Sequence, residues 1–359
     1  MGRSLTIGTF AGIPLKFHWT YSLVVVFLAY FGLSQGWNGV QTVAIVSMVI
    51  VLFLSVVLHE YGHALTAKRY GILTKDIILT PIGGIARLTR IPKEPKKELW
   101  ITIMGPAVNF IISITLGLLY LIIFGIYIPD LTYFEPVPPV KDIVCGCILT
   151  IIVLNGSLGL FNLAPVFPMD GGRILRAFLA MRFTHERATV IASTIGQIFA
   201  IGFVALGMFN KQPTLGAIGA FIFLAARSEF KNARFQQRLQ KTKAGDITST
   251  NYQYAYTSDS IFVIKEKLKS APYLILLNEI GDYQGYLRPN ALMHLNHLDD
   301  QTAIGSINNQ GVYLLEDQFL NTRYQDLKES KQALWPVYDR IGTFKGIIDV
   351  KILQGLQRA

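Results

Sequence analysis

Cysteine and charge are both scarce in this chain. Its two cysteines, Cys145 and Cys147, stand in a C-x-C pair, too close and too few for a disulfide framework and without a second pair to hold a structural metal. They read as packing residues. Charged residues make up 16% of the 359 positions, against about 25% in soluble domains. With 51% hydrophobic residues, that deficit sets aside an ordinary soluble protein and points to a membrane protein. A cleavable leader is also missing from the pattern. Arg3 and Lys16 precede an apolar run with no small-residue cleavage site, so the run reads as a retained anchor.

What the apolar background does contain is one ionisable cluster, His59-Glu60-Tyr61-Gly62-His63, near the end of the run from Val43 to Leu65. It reads H-E-x-x-H. Residues four apart share a helix face, so His59 and His63 can point both imidazoles at a single ion. Glu60 lies beside the first histidine, within reach of a water at that ion without being a ligand. The implied chemistry is hydrolysis at zinc, where the metal brings the water's pKa toward neutrality and the carboxylate takes its proton. The motif is short enough to arise by chance. Ionisable groups at membrane depth, however, cost on the order of 3 kcal/mol each, so they are rarely idle there. A polar patch lining a bundle does not explain two histidines and a glutamate at this spacing.

The hydropathy pattern predicts six spans, at about Phe17–Leu33, Thr42–Lys68, Leu99–Ile128, from near Lys141 onward, Ala188–Met208 and Leu215–Ala226. Between the second and third, Asp76 to Thr89 is rich in β-branched residues around Gly83-Gly84, which predicts a short hairpin. An open edge there suits an extended peptide held by strand addition, the alternative being an interfacial loop that merely connects spans. The third span contains Gly105-Pro106 and Asn109, groups that need partners and so turn inward. The fourth leads into Asn162-Leu-Ala-Pro165-Val-Phe-Pro168-Met-Asp170-Gly171-Gly172, where prolines and glycines must interrupt the helix. Broken backbone at membrane depth lines a cavity or lies buried in protein, which gives Asp170 a reason to be there. A catalytic zinc keeps three protein ligands, and H-E-x-x-H supplies two. Asp170 is the candidate third.

Charge distribution supplies a topology. The loop Pro129 to Val140 has no basic residue, whereas Arg173, Arg176, Arg182 and Arg187 follow the fourth span and Arg227, Lys231, Arg234 and Arg238 follow the sixth. With six crossings these basic segments share one side with Arg3 and Lys16, which puts both termini in the cytosol. The same arrangement brings the His59/His63 end of span two and Asp170 to one leaflet. Much of the net charge of +10 is then explained by topology, and nucleic acid is not needed as a partner.

His59-Glu60-Tyr61-Gly62-His63, the Gly83-Gly84 hairpin, Gly105-Pro106 with Asn109, and Asn162 leading to Asp170-Gly171-Gly172 together resemble the site-2 proteases, intramembrane zinc metalloproteases. The similarity covers the first two-thirds of the chain. It implies a mainly α, polytopic six-helix metalloprotease core in which His59, His63 and Asp170 bind Zn2+ and Glu60 is the general base. Asn162 matches the family asparagine near the scissile peptide, with a role in orienting substrate or stabilising the oxyanion. The family's substrates are membrane-spanning helices of tethered regulators, cut in regulated intramembrane proteolysis. Such a helix must unwind locally before its peptide bonds are accessible.

Composition changes after Phe230. Residues 1–230 read as the transmembrane protease domain, 231–250 as a polar, basic linker, and 251–359 as a small soluble α/β domain. Within it, the stretches Pro272–Leu292 and Pro336–Leu353 look like repeats of strand, turn, strand, helix. The pattern is similar to a tandem pair of CBS modules. In the nucleotide-binding version an aspartate stands six residues after the glycine, where this chain has Ala291 and Ile352. That counts against adenine-nucleotide sensing and favours a regulatory or dimerising scaffold over a ligand site. Two other functions stay open at this level: a membrane zinc peptidase acting on extramembrane segments, and a transporter gated by its cytosolic domain.

Overall fold

The computed structural model describes residues 4–358, apart from 35, 37–38, 81–82, 90–91, 93, 130–139, 272, 289–311 and 331. The acidic loop around Glu135 therefore lies outside the described residues, as does Ala291. The chain divides into two compact units, Met1–Phe230 and Lys231–Ala359.

The first unit opens with strands. β1 (Ser4–Phe10) and β2 (Ile13–His18) form an antiparallel hairpin through Ala11 and Gly12, both at positive φ, as a two-residue turn between twisted strands requires. The hydropathy pattern predicts here a short polar lead into a span beginning at Phe17. Instead Phe17 and His18 close β2, and the first helix, α1, covers Thr20–Ser34. α2 (Gly39–Arg69) follows. It carries Lys68 and Arg69 in its last turn, where positive charge suits the helix dipole, and stops at Gly71, whose φ of 71° suits glycine. β3 (Thr74–Thr80) and β4 (Gly83–Leu88) then form the expected hairpin.

These strands make one sheet in the order β1-β2-β3-β4, with β2 and β3 parallel. Ile13, Leu15, Ile77 and Leu79 bury one face of the sheet against Val57 and Ala64 of α2. Tyr61 Oη donates to the Ile13 carbonyl at 3.2 Å. The helix bearing H-E-x-x-H thus forms the floor of the sheet. On the sheet, the Asp76 carboxylate accepts from Arg87 Nε at 2.5 Å and Lys16 Nζ at 2.7 Å, and Arg87 above all holds its pKa down to about 2. The unfolded value is about 3.9. The contribution of this cluster is therefore complete above about pH 4 and is lost as pH falls through about 2. We expect amide exchange protection of β2–β4 to weaken between pH 5 and pH 2, and Asp76→Asn to flatten that dependence.

Beyond the sheet the unit is helical: α3 (Pro95–Phe124), α4 (Val140–Asn162), α5 (Asp170–Ala180), α6 (His185–Phe209) and, as far as Phe230, α7 (Pro213–Lys241). Pro95 at the start of α3 costs no hydrogen bond, and Gly125 at φ 66° caps its end. Among the described residues four helices are long and apolar enough to cross a membrane, within α2, α3, α4 and α6. Exposed Ile111, Ile114, Leu118, Ile122 and Ile123 on α3 have the character of a lipid-facing surface. The expected count was six. α1 has 15 residues, about 22 Å of rise, and α7 turns basic from Arg227 onward.

The second unit contains two copies of one plan. In the first, β5 (Tyr254–Tyr256), α8 (Ile261–Lys269), β6 (Leu274–Leu277) and β7 (Tyr283–Leu287) form a three-stranded sheet, parallel between β5 and β6 and antiparallel between β6 and β7. In the second, β8 (Leu314–Leu315), α9 (Leu320–Glu329), β9 (Leu334–Tyr338) and β10 (Phe344–Asp349) repeat that topology, followed by α10 (Val350–Arg358). Gly285 and Gly346 sit at matching points of the two copies with φ of 158° and 148°. The stretch expected to be a linker is helical as far as Lys241, and its Phe235 and Leu239 are buried with Leu314, Leu320 and Trp335.

Candidate metal centre

His59 and His63 lie one turn apart on α2, and the first residue of α5 meets them. Asp170 Oδ2 is 3.0 Å from His59 Nε2 and 3.1 Å from His63 Nε2, and the two Nε2 atoms are 3.1 Å apart. All three side chains are buried. Each ring is fixed from behind. His59 Nδ1 lies 2.6 Å from Asn109 Oδ1, and His63 Nδ1 lies 2.8 Å from the Ile101 carbonyl oxygen. Both of those atoms only accept hydrogen bonds, so each Nδ1 carries a proton and, in the neutral ring, each Nε2 presents a lone pair. With both imidazoles neutral, three lone-pair atoms, one of them anionic, face a common point. That donor set repels itself and fits a cation. Two imidazoles and a carboxylate suit zinc.

Local sequence explains how three elements reach one point. Gly105 of α3 sits against the histidine rings, where a Cβ would collide with both Nε2 atoms. Pro106, one residue on, leaves the Thr102 carbonyl without its helical donor. After Asn162 the chain cannot continue as a helix past Pro165 and Pro168 and returns through a tight loop into α5. A Cβ at Gly172 would lie 2.7 Å from Phe167 N, so the loop closes only on glycine. α5 is then tied to α3 by Arg176, whose Nε donates to Glu98 Oε1 at 2.9 Å. Both partners are buried, and His185 Nδ1 lies 3.6 Å from Glu98 Oε2. This ion pair holds the helix that presents Asp170.

Glu60 stands beside the trio and outside it. Its Oε2 accepts from the Ala86 amide of β4 at 3.1 Å, and Gly84 makes room for it, since a Cβ there would lie 2.5 Å from Glu60 Cγ. Asn162 is placed differently. Its Nδ2 donates to Leu158 O within α4 at 3.0 Å, and no hydrogen bond among the described residues joins it to His59, His63 or Asp170. The sequence reading turned Asn109 inward but did not pair it with His59. Asn155, which opens the informative stretch leading to Asp170, had no role assigned to it, and Ser55 and the Glu98–Arg176 pair went unnoticed, although polar residues inside or at the end of apolar runs were the available signal.

The profile of peptidase family M50 matches residues 47–147 and 140–203. A zinc metalloprotease of Methanocaldococcus jannaschii is 36% identical over 277 residues, covering 76% of this chain and 75% of that protein. The chain belongs to peptidase family M50. As an M50 peptidase it is a membrane metalloendopeptidase of the site-2 type, in agreement with the motifs. The solved site-2 protease from Methanocaldococcus jannaschii matches 64% of this M50 chain and 95% of its own at 36% identity, with a TM-score of 0.46. The CBS domain of a bacterial CNNM/CorC family Mg2+ transporter matches 35% of this chain and 83% of its own at 12% identity, with a TM-score of 0.32.

Proposed function

We propose that this M50 peptidase is an intramembrane zinc endopeptidase that cuts within or near the membrane-spanning helix of tethered regulatory proteins. His59, His63 and Asp170 hold the zinc, and Glu60 is the general base. The convergence of three buried lone-pair donors from α2 and α5 carries this reading. A zinc ion bound there supplies Lewis-acid chemistry. Glu60, pinned by the Ala86 amide, takes a proton from water and passes it to the leaving amine. Asn162, at the mouth of the loop between α4 and α5, turns from Leu158 to the substrate carbonyl.

The Ala86 amide points at Glu60 and away from β3, so the open edge of β4 runs past the base. A substrate unwound into an extended strand and paired along that edge brings its backbone to Glu60. The remaining features follow the same reading. α1 and the apolar half of α7 complete six crossings in a cell membrane with both termini cytosolic, and the second unit is a CBS-like regulatory or dimerising scaffold.

The test uses the full chain reconstituted with a single-span substrate, the products being sequenced. Cleavage within the span, lost on chelation and recovered with zinc, is expected. Products cut only in extramembrane segments would replace this reading with that of a membrane-anchored peptidase acting on exposed segments.

A further inference from the structure

We infer that Asn155 is a positioning residue that fixes the proton of His59 on Nδ1, through Asn109, so that Nε2 is left free for the metal. The inference rests on the reading of His59 as a metal ligand. Four buried groups on three helices form one hydrogen-bonded line. Asn155 Nδ2 donates to the Ile151 carbonyl at 2.9 Å and to Ser55 Oγ at 3.0 Å. Ser55 Oγ in turn donates to the Val51 carbonyl at 3.1 Å. Asn155 Oδ1 accepts from Asn109 Nδ2 at 3.0 Å, and Asn109 Oδ1 accepts from His59 Nδ1 at 2.6 Å. Asn109 and Asn155 are 0% and 1% exposed, so both amides are closed off from bulk solvent.

The direction of that line is not arbitrary. A side-chain amide turned end for end has almost the same shape, so packing alone does not choose between its two orientations. A backbone carbonyl chooses, because it only accepts. With its Nδ2 on the Ile151 carbonyl, Asn155 must turn Oδ1 toward Asn109. Asn109 must then turn Nδ2 toward Asn155 and Oδ1 toward His59. Were Asn109 reversed, its amide hydrogens would face Nδ1 and the imidazole proton would move to Nε2, the atom aimed at His63 and Asp170. His63 needs no such device, since its Nδ1 meets the Ile101 carbonyl directly. His59 reaches a backbone carbonyl only through two asparagines.

The experiment measures zinc occupancy of the full chain in detergent against a graded chelator, beside its peptidase activity. Asn155→Leu keeps the volume and removes the acceptor, and zinc affinity should fall about tenfold. Adding Asn109→Asp should restore most of that loss. A carboxylate accepts from His59 Nδ1 in either orientation, so the direction no longer has to be imposed. A role in packing alone would leave the double variant no better than the single one. Should Asn155→Leu fail to fold, Asn155→Ser with and without Asn109→Asp makes the same comparison. Wild-type zinc affinity in the single variant, or no recovery in the double variant, overturns the inference. His59→Ala separates the two levels: zinc loss there with zinc retained in Asn155→Leu sinks the relay alone, whereas zinc retained in His59→Ala sinks the metal-site reading and the relay with it.

Discussion

Glu60→Gln is expected to keep its zinc and lose its peptidase activity by about 10²–10⁴-fold, the range of a positioned general base. The amide has nearly the shape of the carboxylate, and its oxygen can still accept from the Ala86 N–H that pins Glu60 in place. Only the capacity to take a proton disappears. Glu60 lies outside the group formed by His59, His63 and Asp170, so metal content should stay equimolar. Cleavage of a single-span substrate and metal analysis on the same preparation check both halves. Undiminished cleavage would remove Glu60 as the base, and lost zinc would make it a ligand.

Asp170→Ala should have the opposite signature, with zinc and activity lost together. Asp170 Oδ2 is the anionic member of the donor set, and without it two neutral imidazoles face each other with nothing to balance a divalent charge. Groups that only support a ligand already cost 10- to 100-fold in metal affinity when removed, so removal of a ligand should exceed about 100-fold. Folding should survive, because Arg176 still ties α5 to Glu98 and the glycine loop is untouched. Metal analysis of the purified variant beside wild type decides the matter. Retained stoichiometric zinc would take Asp170 out of the site.

The parts of this site legible in the sequence were those written in one residue type at one spacing. H-E-x-x-H on an apolar helix and an aspartate after a proline-broken span brought His59, His63 and Asp170 together on paper, and the structure sets their donor atoms at 3.0 to 3.1 Å. The Gly83-Gly84 hairpin was readable for the same reason. β1 and β2 were not. Their identity as sheet depends on β2 lying parallel to β3, a pairing some 60 residues distant, and short strands with threonine and glycine look polar when taken alone. Long separation also hid the Glu98–Arg176 pair, 78 residues apart, and the Asn109–Asn155 bond, 46 apart. Polar residues buried in apolar helices announce that they need partners without saying which. The helical continuation through Phe235 and Leu239 was obscured by the basic residues around them, which occupy the solvent side of a helix whose other face is buried.

Pairing of substrate along the outer edge of β4, as proposed, bears on selectivity. Main-chain amides and carbonyls are the same in every residue but proline, so a groove that grips by them alone is nearly indifferent to spelling. With membrane-spanning helices as the proposed substrates, discrimination should shift to the ease with which each one comes undone: glycine-rich, proline-bearing or asparagine-bearing spans are expected to yield readily, and uninterrupted leucine spans to resist.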